Sequence, residues 1–110
     1  MMALKSIEGG AGRIEQSGEA AAFVNESISA YENGCDESLY GLGVAFSTGS
    51  RGCACDLVEA HKWFNIAASM GHEEAAYCRA DVADEMTARE IAEAQRQARQ
   101  WLQKDARKVA

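Results

Sequence analysis

The sequence predicts an all-α protein of about five helices, packed as antiparallel pairs. Three observations carry this expectation. The 110 residues include no proline and are rich in alanine and other strong helix formers. Apolar residues recur at helical spacing along most of the chain, with few β-branched runs. Glycines and capping residues stand where those patterns stop. The length allows one domain with a modest core.

Residues 1–17 hold Gly9, Gly10 and Gly12, lack periodicity and read as a flexible arm. Residues 18–110 form the helical domain. Its first helix is expected from Gly18 to Asn33, with Ser17 as cap and Gly34 as stop. Phe23, Ser27, Ala30 and Tyr31 line one face, with Val24 and Ile28 beside them. Asp36 is expected to cap a second helix running to Thr48. Leu39, Leu42, Gly43 and Phe46 make its packed face, and Gly43 lets another backbone approach. Gly49 to Cys55 (GSRGCAC) is a loop.

The stretch from Asp56 to His72 is complete by its own signals. Asp56 caps it, Glu59 stands where a capping box needs it, and Gly71 ends it. It has two apolar faces. Leu57, Ala60, Phe64 and Ala67 form one; Trp63, Ile66 and Met70 form the other, with Ala68 between. A surface helix needs only one such stripe, so this helix requires neighbours on several sides. A fourth helix follows over 73–85, using Ala75, Ala76, Tyr77, Ala80 and Ala83. Thr87 and Glu90 then open a closing helix over 87–108, with Ile91, Ala94, Ala98, Trp101 and Leu102 as its single stripe.

Gly34 and Gly71 lie 37 residues apart, Ala30 matches Ala67, and Ser38 matches Ala75. A helical unit recurring at this length marks a solenoid. Residues 38–73 resemble a Sel-1-like repeat, a relative of the tetratricopeptide repeat. Leu42, Gly43, Phe46, Gly49, Asp56, Ala60, Trp63, Ala67, Ala68 and Gly71 carry the resemblance. The closing segment is similar to the last helix of short bacterial members of that family. The loop is one residue longer than the family's spacing, Cys53 replaces its usual valine, and Ser38 replaces alanine. The resemblance implies an α–α superhelix of antiparallel pairs that binds other proteins as an adaptor or scaffold, without catalysis or cofactor. Tyr40, Val44 and Ser47 lie opposite the packed face of the second helix, where related arrays have their groove. They are the expected partner-binding residues.

Charge narrows the choice of partner. The net charge is −6, and residues 1–60 hold nine acids against three bases. Such a chain is unsuited to nucleic-acid backbones. The six bases from Arg89 to Lys108 are interleaved with acids, as on a solvated helix face. No apolar run is long enough to span a membrane. The N-terminus lacks the sustained apolar core of a signal peptide, so a cytoplasmic protein is expected.

Cys53 and Cys55, with His61, His72 and Cys78 further on, raise the alternative of a metal-binding or redox module. Their spacing is unlike that of structural zinc sites, and no second pair matches. The competing expectation is that Cys35 and Cys78 are small buried residues, His61 is half exposed, and His72 caps a helix. One strong repeat falls short of the roughly three that isolated arrays need. Either the flanking helices cap it or the chain forms a homo-oligomer.

Overall fold

The computed structural model describes residues 18–109, so the arm over 1–17 and the cap at Ser17 lie outside the described residues. The described chain is all-α. Its helices are α1 (Gly18–Glu32), α2 (Glu37–Thr48), α3 (Leu57–Ser69), α4 (Glu73–Ala83) and α5 (Ala88–Val109).

Each helix start has its own chemistry. Asp56 is extended, and its carboxylate accepts the Glu59 N–H at 3.1 Å. The reciprocal half of that box is not formed. The Asp56 N–H already donates to the Phe46 carbonyl at 3.0 Å, which leaves the Glu59 carboxylate free for other donors. It accepts the Trp63 indole N–H at 3.2 Å and the Lys62 ammonium at 3.1 Å. The box at Thr87 is complete. Thr87 Oγ1 accepts the Glu90 N–H at 3.1 Å, and Glu90 Oε1 accepts the Thr87 N–H at 2.8 Å. His72 caps α4, its Nδ1 accepting the Ala75 N–H at 3.1 Å. Asp36 does not cap α2. Its backbone is already helical (φ −70°, ψ −23°), which turns the carboxylate away from the first turn's N–H groups.

The ends of α1 and α3 share three backbone hydrogen bonds in register, to which Asn33 adds a bond to the Ser29 carbonyl. Asn33, Gly34 and Cys35 donate to Ala30, Tyr31 and Ala30; Met70, Gly71 and His72 donate to Ala67, Ala68 and Ala67. The two sets are 37 residues apart, and both glycines are left-handed, at φ 102° and 96°. The sequence period is therefore a period of backbone geometry, and the fold is helical-repeat-like.

α3 is the hub. It packs against α2, α4 and α5, while α1 packs against α2. Ala60, Trp63, Phe64, Ile66 and Ala67 are all buried. Met70, expected on the second face, is 40% exposed because it stands at the turn beyond the last helical residue. Gly43 is indeed a close-approach point, but to a side chain and not a backbone. A Cβ there would stand 2.5 Å from the Phe64 ring. On α4, Ala75 and Val82 are buried while Tyr77 is 74% exposed. The alanine-rich pattern left the orientation of that helix open, and Val82, its one branched aliphatic, turns inward.

α5 closes the array through aromatic rings. Trp101 meets Trp63 edge-on at 5.6 Å between centroids and Tyr31 at 5.6 Å. The Tyr31 hydroxyl donates to Asp105 at 2.8 Å, which ties α1 to α5. Burial, then the Asp105 carboxylate, pushes the Tyr31 phenol up to about 12. No helix among the described residues is long and apolar enough to cross a membrane.

Candidate functional site

Tyr40, Val44 and Ser47 do share one side of α2, but they are half-buried there and do not form an open face. Tyr40 is wedged between α2 and the start of α4. Its ring stacks on His72 at 4.4 Å and meets Phe64 at 5.7 Å. Its hydroxyl lies 3.8 Å from the Cys78 sulfur. That contact, with burial second, pushes the Tyr40 phenol up to about 12. His72 completes the junction, with Nε2 3.1 Å from the exposed Glu37 carboxylate. Val44 packs partly on the core, and the Ser47 hydroxyl donates back to the Val44 carbonyl at 2.9 Å. These side chains hold α2 to α4, and only their outer edges reach solvent.

Among the described residues, two grooves exceed the recess of about 180 Å³ lined by Ile28, Glu32, Trp101, Lys104 and Asp105. The first, about 280 Å³, runs between α1 and α2. Its floor is Ser27, Ala30, Ser38 and Gly41, and its rim is Phe23, Glu26 and Arg51. The Arg51 guanidinium sits 4.4 Å from the Phe23 ring centre, a cation–π arrangement. The second, about 330 Å³, lies beside Trp101 and is lined by Lys62, Arg96, Gln97, Gln100 and Lys104. Two of its cations are already paired, Lys62 with Glu59 at 3.0 Å and Arg96 with Glu93. Arg96, then Gln97, holds the Glu93 carboxyl down at about 2.

The remaining chemistry is dispersed. Cys53 is buried, and burial raises its thiol above the ordinary range. Cys55 is exposed, and its thiol donates to the Ser47 carbonyl at 3.6 Å. Cys35, expected to be buried, is exposed at the turn after α1, where the chain leaves the core; Cys78 is half-buried. Among the described residues no three His, Cys, Asp or Glu side chains gather to hold a metal ion. His61, expected to be half exposed, is 3% exposed, and its Nδ1 has no hydrogen-bond partner. Burial, then the nearby Arg79 charge, lowers its pKa.

Sequence reasoning did not single out the groove between α1 and α2. Two signals for it were present: Gly41 inside a helix, and Arg51 as the one base between residues 18 and 60, against seven acids. No family model, no curated protein and no solved structure matches the chain.

Proposed function

We propose that this chain is a non-enzymatic protein–protein recognition module of the Sel-1-like type, an adaptor or scaffold working in the cytoplasm. The observation that carries the reading is the α1–α2 groove, a recess floored by small residues between packed helices. A partner segment entering it meets a preformed surface, so little ordering of the receptor opposes binding. The repeat-like interior supports the family part of the reading. Leu42, Phe46, Ala60, Trp63 and Ala67 are buried, and Ala68 packs against them. Gly49 and Gly71 hold left-handed turns, Asp56 caps α3, and Gly43 makes room for Phe64.

Photo-crosslinking tests the proposal. A benzoylphenylalanine at Glu26, on the groove rim, is expected to give a discrete adduct in cells; the same probe at exposed Asp81 on α4 is not. Identical adduct patterns from both positions, or none from Glu26, would count against recognition at this surface. An adduct of twice the chain's mass identifies self-association instead.

A further inference from the structure

From the geometry of the α1–α2 groove we infer that it receives a partner segment carrying a carboxylate side chain, which pairs with Arg51 while the segment's backbone lies over Gly41. The inference rests on the recognition reading above and specifies the chemistry of the occupant.

Three observations on different residues converge. Gly41 lies in the middle of α2, where glycine weakens a helix relative to alanine. Nothing in the fold requires it. Its φ is not positive, and a Cβ built there would meet no atom within 4 Å. Gly43, two residues on, is explained by the Phe64 ring; Gly41 is explained by no neighbour in the chain. It does line the groove, and the missing side chain deepens the floor there.

Arg51 is the second observation. Among the described residues it is the one non-glycine with positive φ, at 58°. L-residues adopt this conformation under strain, and persistent strain of this kind clusters at functional positions. Glycine would sit there freely. The chain instead spends the position on a guanidinium laid over Phe23 at the groove's rim.

Electrostatics supplies the third. The ion pairs found among the described residues are Lys62–Glu59, His72–Glu37 and Arg96–Glu93. Arg51 takes part in none of them, although seven acids accompany it between residues 18 and 60. Its planar fork, laid over Phe23 and outside the ion pairs found among the described residues, can donate its N–H groups to a carboxylate from outside. Glu26, also on the rim, fixes polarity. It repels a second acid, so the entering carboxylate is directed to the Arg51 end.

The test uses a displayed library of random linear peptides, panned on the full chain and on three variants. Peptides selected on the wild type are expected to be enriched in Asp or Glu. On Arg51→Glu that enrichment is expected to vanish or to invert to Lys and Arg. Arg51→Gly relaxes the strained turn, so it should melt no lower than wild type while binding a selected peptide at least tenfold more weakly by fluorescence anisotropy. Gly41→Phe should abolish binding of the same peptide. Acid enrichment that persists on Arg51→Glu overturns the inference, as does unchanged affinity in Arg51→Gly. Peptides lost to Gly41→Phe but showing no acid preference also overturn it while leaving recognition at the groove standing. A wild-type pool with no enrichment at all overturns both. A sedimentation coefficient that changes in Arg51→Glu assigns the groove to a second copy and likewise overturns it.

Discussion

His61 shows how much one side chain's surroundings matter. It is buried, its Nδ1 is unpartnered, and its pKa is lowered first by burial and then by Arg79. The unfolded chain therefore binds a proton at His61 more readily than the folded chain does. The associated stability is present above the ordinary histidine value and is lost as pH falls below about 6.5. Chemical denaturation at pH 7 and pH 5 is expected to give a lower midpoint at pH 5 for the wild type and a smaller drop for His61→Leu. Equal drops in the two proteins would remove His61 as the cause. The burial of this residue was not legible in the sequence. It flanks the Leu57–Phe64 stripe of α3 on the side away from Trp63, and only the number of helices around α3 decides whether such a position sees water. Gly43 and Gly41 make the complementary point. Both are glycines in one helix, and the three-dimensional neighbours alone distinguish a packing requirement from an open floor.

At the scale of elements, the sequence was far more informative, because helix ends are decided locally. Glycine stops at 34, 49 and 71 and the boxes at Asp56 and Thr87 are read from adjacent residues. The exceptions also have local causes. Asp36 has the right side chain but a helical backbone, so it cannot cap. Glu59 has the right position, but Asp56 N–H is satisfied elsewhere and the carboxylate turns to Trp63 and Lys62. These differences give an ordered expectation. Thr87→Ala is expected to cost about 1 kcal/mol, as typical N-caps do, and Asp36→Ala close to nothing. Urea unfolding of the two variants checks this, and equal losses would contradict the distinction between a formed and an unformed cap.

For the molecule as a whole, the 37-residue period marks a repeating helical unit but does not reveal that α5 packs on α3. A period relates consecutive units; it does not say where a closing helix returns. α5 makes that return through Trp101, which joins Trp63 of α3 and Tyr31 of α1. Because Trp101 is half-buried, its truncation should cost less than the roughly 3–5 kcal/mol of a fully buried Trp, on the order of 2 kcal/mol. Trp101→Ala is expected to lower the thermal midpoint and to weaken the hold of α5 on α1, seen as faster amide exchange along 18–32. Unchanged exchange in that segment would separate α1 from the aromatic row. The grooves were the least legible feature, since an opening between two helices is defined by side chains that are missing as much as by those present.

The Tyr31–Asp105 bond has a mechanical consequence for the groove. Among its neighbouring helices, α1 packs substantially only on α2, and this bond adds a second attachment near its C-terminal end. Tyr31 thus acts as a fulcrum for α1, whose far arm is itself packed, with Ala20 buried and Phe23 and Val24 against the core. Phe23 lies eight residues from that fulcrum, about 12 Å along the axis. A tilt of about 10° at Tyr31 therefore displaces the Phe23 end by about 2 Å at that arm length. That packing opposes such a tilt, so the width of the recess beside Arg51 is set from both ends of α1.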